Sequence, residues 1–417
     1  MNAHLSFSTQ LSQTIDIKIT GSKSESNRLL ILQAIFDTLS IRNLSNSDDT
    51  QVLRKALKSK DKTIDVHHAG TAMRFLTAFF ACQEGNEVVL TGSKRMQERP
   101  VRILVDALRD LGAHITYLKE EGFPPLQIIG RALSKSTVVM KANVSSQYIS
   151  ALMLIAPSLP KGLKIILEGE LTSVPYITMT CQLLNDVGVP CRLRGFEQPN
   201  IPTEILIENV SQLAEKTIAV ESDWSSASYF FSLVALSNDL QITLTNYKEK
   251  SLQGDRALVE IYAKLGVSAV FNSSEESITL SKIPAEVSSA ITLNLIDTPD
   301  IAQTIAVTCF GLGLGCNLTG LHTLKIKETD RLEALKNELV KLGADVEVSN
   351  DSLQMNPCSD PEAGVTITTY QDHRMAMAFA PLSMRFPIVI EDAMVVTKSF
   401  PQFYEELEKL GIAIDLK

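Results

Sequence analysis

A self-similar unit recurs six times along the chain, and a repeat of this length restricts the fold more than any single motif does. One half of the unit is an apolar segment, rich in small residues and opened by polar ones, that runs through a turn into a strand of β-formers. It reads SNRLLILQAIF before LSIRNL, GTAMRFLTAFFAC before EVVLTG and SSQYISALMLIAP before LKIILEG. It returns as SSASYFFSLVALS before LQITLTN, DIAQTIAVTCFGLG before CNLTGL and DHRMAMAFAPLSM before FPIVIED. The other half is a Leu-rich amphipathic helix stopped near a Gly and followed by a strand: LVDALRDLGAHITYL, CQLLNDVGVPCRL, LVEIYAKLGVSAVF, LKNELVKLGADVEV and FYEELEKLGIAIDL. A degenerate copy, QVLRKALKSKDKTIDV, lacks the Gly. A helix apolar on nearly every face has to be enclosed, whereas a one-sided helix covers a surface. Each unit therefore needs a buried helix, an outer helix and sheet strands.

The apolar helices start near Ser26, Gly70, Ser145, Ser225, Asp300 and Asp372, so after a shortened first unit the period is roughly 75 residues. A chain of 417 residues is too long for one hydrophobic core, and six units in two domains leave three in each. The expected class is α/β (α+β). The sixth unit ends at the C-terminus short of strands, and the isolated strand-like TIDIKIT near the N-terminus is expected to complete it. Residues 21–221 then form one domain, and residues 1–20 with 222–417 form the other. The chain crosses between them near Thr20 to Gly21 and near Val220 to Ser222.

Composition narrows the function. The formal charge of -9 disfavours a general nucleic-acid binder, so any anionic ligand has to be captured by local basic clusters. The six cysteines form no C-x-x-C pair and read as reduced packing thiols. The N-terminal MNAHLSFSTQLSQTIDIKIT lacks the basic and apolar regions of a secretion signal, and the longest apolar stretches are interrupted by Gly. A cytoplasmic protein without membrane association is expected.

The openings of the apolar helices carry Gly21, Ser22, Lys23, Ser24, Asn27 and Arg28; Gly70, Thr71 and Arg74; Ser145, Ser146 and Gln147; Asp223, Trp224, Ser225 and Ser226; Asp297, Thr298, Pro299 and Asp300; and Asp372, His373 and Arg374. Helix N-termini have free amides and a positive dipole end, so Gly, Ser, Lys and Arg gathered there suit phosphate. Arg99 stands before Pro100 at the start of an outer helix, where a guanidinium can grip an oxyanion. The segment KIKETDRLEAL groups Lys327, Glu328 and Arg331, with Thr329 as the expected helix cap, and Lys398 takes the corresponding place in the sixth unit. Each residue also has an ordinary reading. GSKS lacks the Walker spacing, Ser145, Ser146 and Ser225 are common N-caps, Gly70 permits a tight turn, and a lone His373 is more often a satisfied core histidine. The combination points to an anion site in a cleft between the domains.

GSKSESNR, AGTAMRF, QERP, SSQY, DWSSASYF, KETDRLEAL, DHRMAMAFA and KSFPQF occur in this order, and with them the chain resembles the 3-phosphoshikimate 1-carboxyvinyltransferase (EPSP synthase) family over essentially its whole length. The resemblance implies a two-domain inverse α/β barrel of six βαβαββ-like units. It also implies transfer of the carboxyvinyl group of phosphoenolpyruvate to the 5-hydroxyl of shikimate 3-phosphate by addition and elimination. It assigns shikimate 3-phosphate to Lys23, Ser24, Arg28, Ser145, Ser146, Gln147, Ser173, Asp300 and Lys327. Phosphoenolpyruvate falls to Lys23, Gly70, Arg99, Gln147, Arg331, Arg374 and Lys398. The catalytic set it implies is Asp300, Glu328, Lys23, Lys398 and His373, with Asp300 as base at the 5-hydroxyl and Glu328 at the methylene proton. No metal or organic cofactor is implied, and the expected state is a monomer binding only small molecules. Three positions depart from the family pattern: His68 where Asn is usual, Phe75 where Pro is usual, and Thr323 where Asn is usual. Two alternatives stay open. One is the sister enzyme that uses UDP-N-acetylglucosamine, whose usual loop Cys is absent from TGSKRMQERP, and the other is an inactive binding protein of the same fold.

Overall fold

The six apolar segments form helices at Lys23–Ile35, Gly70–Ala81, Ser146–Ile155, Trp224–Leu236, Ala302–Gly311 and His373–Phe379 in the computed structural model, which describes residues 1–7, 14–142, 145–169, 171, 173–196 and 203–417. Having no polar face, these inner helices are enclosed. Every residue of Trp224–Leu236 except Ser225 is buried, and so is every residue of His373–Phe379. The hydroxyls this encloses find one another, because an unpaired buried hydroxyl is costly. Ser228 Oγ lies 3.0 Å from Thr304 Oγ1, and Thr308 donates to Ser232 Oγ at 2.7 Å.

The outer helices follow the Leu-rich pattern: Arg102–Leu111, Val174–Val187, Leu258–Lys264, Arg331–Lys341 and Phe403–Lys409. Each is stopped by a glycine with positive φ, from 77° at Gly411 to 108° at Gly112, a conformation that side chains with a Cβ rarely adopt. The copy without Gly, Asp48–Lys58, ends instead on Ser59 in extended backbone. Helix Arg331–Lys341 is capped by Asp330, whose Oδ1 accepts from Leu332 N and Glu333 N at 3.2 Å, and not by the expected Thr329. An aspartate one residue nearer the helix has the same reach to the free amides and adds a favourable charge at the dipole end.

Among the described residues the five four-stranded sheets share one topology. In the second unit the spatial order is Thr63–Asp65, Glu87–Thr91, Leu126–Ile129 and His114–Tyr117; the first pair is parallel and the other pairs are antiparallel. Val88 and Leu90 alternate inward along the second strand, which fixes its register. The third and fifth units repeat this arrangement with their own strands. The fourth and sixth borrow from the N-terminus, in a way that corrects the expectation for TIDIKIT. Strand Ile15–Ile17 runs parallel to Gln241–Thr245 and so belongs to the fourth unit. The sixth is completed by Ala3–Phe7, which sits between Ile388–Ile390 and Ile412–Leu416, antiparallel to both. Among the described residues the first unit has only Leu39–Arg42, paired in parallel with Lys216–Ala219. In the other units the strand leading into an inner helix joins the sheet of that helix. Here the strand before Lys23–Ile35 serves the fourth unit, and the strand before Trp224–Leu236 serves the first.

The chain divides into two compact units, Gly21–Val220 and Met1–Thr20 with Glu221–Lys417. Within Gly21–Val220, Gly21 is required by close approach: a Cβ there would stand 1.9 Å from Asn43 O. All six cysteines are free thiols. No helix among the described residues is long and apolar enough to cross a membrane.

Candidate active site

In the unit Gly21–Val220, Arg28 and Arg74 donate to neutral groups, and Lys23 lies near a carboxylate. Arg99 lies directly over Gly70: a Cβ added to Gly70 would come within 2.7 Å of Nη1 and 3.1 Å of Cζ and Nη2. Glycine is needed here for the approach of a guanidinium. Helix Gly70–Ala81 starts at Ala69 without a side-chain cap, so its first amides remain available to a ligand. The turn bearing Arg99 is tied down through Pro100 O, which accepts from Tyr148 Oη at 2.6 Å and from Arg74 Nη2 at 3.0 Å. Gln147 joins the group by donating from Nε2 to Thr71 Oγ1 at 3.3 Å. Ser145 caps helix Ser146–Ile155 by accepting from Gln147 N at 3.4 Å. Gly70, Arg99, Gln147 and Ser145, expected from sequence, thus lie in one neighbourhood. Tyr148 and Arg74, which position Arg99, had no assigned role; their only sequence signal is membership of SSQY and AGTAMRF.

Lys23 Nζ is 3.5 Å from Asp49 Oδ2, a carboxylate in the first turn of helix Asp48–Lys58. Arg28 is turned into the helix packing. It donates from Nε to Thr180 Oγ1 at 2.7 Å, from Nη1 to Ser24 O at 2.9 Å, and from Nη2 to Ser150 Oγ at 2.9 Å and Tyr176 O at 3.4 Å. Four of its five N–H groups are therefore engaged. The rings of Phe75 and Tyr176 lie 5.5 Å and 5.7 Å from its Cζ, and burial brings its pKa down to about 10. Phe75, a departure from the family pattern, thus serves as a packing face for Arg28. Ser173 precedes helix Val174–Val187 with φ 54°, a left-handed conformation that a non-glycine residue keeps only under constraint; Thr172 of the same TSVPYI motif lies outside the described residues.

In the other unit Lys327, Arg331 and Arg374 meet carboxylates. Arg331, 2% exposed, donates from Nε to Asp372 Oδ2 at 2.6 Å, from Nη1 to Asp300 Oδ1 at 2.9 Å and from Nη2 to Glu328 Oε2 at 2.8 Å. Burial, the largest single influence, acts to lower its pKa, but Asp372, Glu328 and Asp300 together outweigh it and hold the guanidinium above its ordinary value. Asp300 meets two further cations, Lys327 Nζ at 3.5 Å and Arg374 Nη2 at 3.3 Å. Burial lowers the Lys327 pKa; Asp300 opposes it and Arg331 adds to it. Asp372 caps helix His373–Phe379 by accepting from Arg374 N at 2.9 Å, so one carboxylate fixes a helix start and grips Arg331. The backbone before it passes through two left-handed residues, Tyr370 at φ 53° and Gln371 at φ 56°; Lys398 Nζ donates to Gln371 O at 2.8 Å. His373 is buried with Nδ1 3.7 Å from Asp372 Oδ1. Asp300, Lys327, Glu328, Arg331 and Arg374 form one contiguous network, with His373 and Lys398 adjoining it through Asp372 and Gln371.

One member was absent from the expected set. Asp255, in the short helix Gly254–Ala257, accepts a hydrogen bond from Ser225 Oγ, and Ser225 Oγ accepts from Arg374 Nη2 at 3.3 Å. Nothing in SLQGDRALVE marks this aspartate, since it belongs to neither half of the repeat. Among the described residues no group of three or more His, Cys, Asp or Glu is arranged to hold a metal ion.

The profile of the family described as EPSP synthase (3-phosphoshikimate 1-carboxyvinyltransferase) matches residues 51–407. A 3-phosphoshikimate 1-carboxyvinyltransferase of Bacteroides fragilis (strain YCH46) is 45% identical over 416 residues, covering 98% of each chain. One from Histophilus somni (strain 2336) is 34% identical, covering 95% of this chain and 96% of its own. Among solved structures, an EPSP synthase from Acinetobacter baumannii superposes with a TM-score of 0.77 at 19% identity, covering 100% of both chains. The enolpyruvyl transferase NikO from Streptomyces tendae gives 0.73 at 14% identity, covering 99% of this chain and 98% of its own. The last two show the two-domain α/β fold alone, whereas the profile and the sequence relatives carry the family: the chain belongs to the EPSP synthase (3-phosphoshikimate 1-carboxyvinyltransferase) family.

Proposed function

We propose that this enzyme transfers the carboxyvinyl group of phosphoenolpyruvate to the 5-hydroxyl of shikimate 3-phosphate and releases phosphate, a step of aromatic amino acid biosynthesis. The observation that carries the site reading is Asp300, a carboxylate met by Lys327, Arg331 and Arg374 at 2.9 to 3.5 Å. Cations so placed hold the carboxylate in a fixed position, and they offer positive charge to an incoming anion. In this reading Asp300 takes the proton of the 5-hydroxyl as its oxygen attacks C2 of phosphoenolpyruvate. Glu328 delivers a proton to C3 and recovers one when phosphate leaves and the double bond reforms. Arg331 and Arg374 hold phosphoenolpyruvate. Arg99 over Gly70, together with Lys23 and Gln147, is assigned to the same substrate, and Lys398 and His373 assist at the leaving phosphate. Ser24, Arg28, Ser145, Ser146, Gln147, Ser173 and Lys327 hold shikimate 3-phosphate. Arg28 contributes through the one N–H that its packing leaves. Alignment of the two bound reactants supplies part of the rate. We read the protein as a cytoplasmic monomer acting without metal or organic cofactor.

Phosphate release tests this directly. The protein is supplied with phosphoenolpyruvate and either shikimate 3-phosphate or UDP-N-acetylglucosamine. Turnover with shikimate 3-phosphate alone is expected. Turnover with the nucleotide sugar, or with neither, would sink the assignment.

A further inference from the structure

The network around Arg331 is balanced without Asp255. Lys327, Arg331 and Arg374 meet the three carboxylates Asp300, Glu328 and Asp372. Asp255 is a fourth carboxylate at the edge of this set. It is 6% exposed, and among the described residues it has no ion pair and one hydrogen bond, from Ser225 Oγ. A buried carboxylate is ordinarily paired with a cation or given several donors, because an isolated charge away from water is costly. The charged groups that face it are Asp223 at the start of helix Trp224–Leu236, Asp300 and Arg374. Arg256, next on its own turn, is turned away to Glu249 O and Glu260 Oε1. Burial first, and then the field of Asp300, push the Asp255 carboxyl up to about 7, against the pull of Arg374.

We propose that Asp255 is a positioning residue for the anion site at Arg374, taking up a proton when an anion binds there and releasing it when the anion leaves. This rests on the assignment of Arg374 to an anionic substrate. A serine hydroxyl has one proton to give and lone pairs with which to accept. While Asp255 is ionised, Ser225 gives its proton to the carboxylate and accepts from Arg374, and the Asp255 charge joins that of Asp300 in neutralising the guanidinium. Once Asp255 is protonated, its O–H donates to Ser225 Oγ. The Ser225 proton then turns to the anion, and Arg374 is left with one carboxylate competitor instead of two. The proton comes from solvent, so carboxylate, proton and free anion become carboxylic acid and bound anion, and the charge of the arriving ligand is partly offset. Linkage makes the effect reciprocal: the bound anion raises the affinity of Asp255 for its proton by the factor by which the proton raises the affinity for the anion.

Sulfate is a suitable probe because its own charge does not change near neutral pH. Calorimetric titration of the whole protein, in buffers of different ionisation heat, counts the protons taken up per sulfate bound. The site is identified as the sulfate binding lost in Arg374→Ala. The wild type is expected to take up a substantial fraction of one proton near pH 7.5, with affinity falling by up to about tenfold per pH unit above the Asp255 pKa. Asp255→Asn is expected to take up none and to bind with nearly constant affinity, tighter than wild type at about pH 8. Asp255→Ala provides a second variant should the amide perturb folding, with the same loss of proton uptake expected. A wild type that takes up no proton, a variant that still does, or sulfate binding untouched by Arg374→Ala would each overturn the proposal. The phosphate-release assay on wild type judges the proposed reaction separately. Failure of turnover leaves the sulfate titration to decide the role of Asp255, and normal turnover without proton uptake removes Asp255 alone.

Discussion

The two units of this chain are built on the same repeat but hold the buried arginines Arg28 and Arg331 in opposite ways. In Gly21–Val220, Arg28 is held by two hydroxyls and two carbonyls, Arg74 by carbonyls and a thioether, and Arg99 lies over the backbone of Gly70. In the unit completed by Glu221–Lys417, Arg331 is held by Asp300, Glu328 and Asp372, and Arg374 reaches Asp300. A cation whose bonds go to hydroxyls and carbonyls, as those of Arg28 do, is not neutralised by them. A cation among carboxylates keeps little net charge, but it holds those carboxylates in place. The first arrangement suits gripping an anion, and the second suits moving protons beside one.

The most severe test of this contrast changes the carboxylates that face a ligand. Asp300→Asn or Glu328→Gln is expected to lower turnover by roughly 10²- to 10⁴-fold, the usual worth of a general acid or base, with the far-ultraviolet circular dichroism unchanged. Near-normal rates in both variants would end the division of labour. Next in size is a paired comparison of stability. Arg331→Met leaves the fully buried Asp372 without its main partner and is expected to cost about 3 to 5 kcal/mol in denaturant unfolding. Arg28→Met leaves hydroxyls that can satisfy each other, Ser150 Oγ already being 3.0 Å from Thr180 Oγ1, so about 1 to 3 kcal/mol is expected. Equal costs would mean that the partners' charge is not what separates the two units.

Gly70→Ala sharpens the neutral side of the comparison. The added Cβ would sit 2.7 Å from Arg99 Nη1, and because the obstacle is the end of a long side chain, the guanidinium moves while the helix stays. Losing its alignment is expected to raise KM for phosphoenolpyruvate roughly tenfold, about 1.4 kcal/mol, with a smaller change in kcat and none in the KM for shikimate 3-phosphate. A fall in kcat alone would place Arg99 in the chemistry instead.

Legibility in the sequence follows the same physical lines. The inner helices, the outer helices and their glycine stops could be read because periodicity and left-handed backbone leave local marks in the chain. The partner of a strand leaves no such mark. TIDIKIT reads as a strand, but whether it lies beside Gln241–Thr245 or closes the sixth unit is settled by contacts more than two hundred residues away. The short strand Ala3–Phe7, which does close that unit, alternates too briefly to stand out. The charged residues of KETDR and DHR could be found because they cluster in sequence. The direction in which Arg28 points could not, since Thr180, Ser150 and Tyr176 reach it from distant segments. Asp255 escaped for the same reason: its importance lies in what surrounds it in space.

The smallest expected effect separates two roles that coincide at one serine. Ser145 caps helix Ser146–Ile155 by accepting from Gln147 N, and it is also assigned to shikimate 3-phosphate. At the corresponding helix start of the other unit, Asp372 combines its cap with a grip on Arg331, so substitution there mixes capping with charge. Ser145 carries no charge, and its two roles come apart cleanly. Ser145→Ala is expected to lower unfolding free energy by about 1 kcal/mol from the lost cap. If the hydroxyl also meets substrate, KM for shikimate 3-phosphate rises by a few-fold, the scale of one neutral hydrogen bond, while KM for phosphoenolpyruvate holds. Reduced stability with both constants unmoved would make Ser145 a helix cap only. The neutral unit would then bind its ligand through backbone amides and cations, without help from the hydroxyls that open its helices.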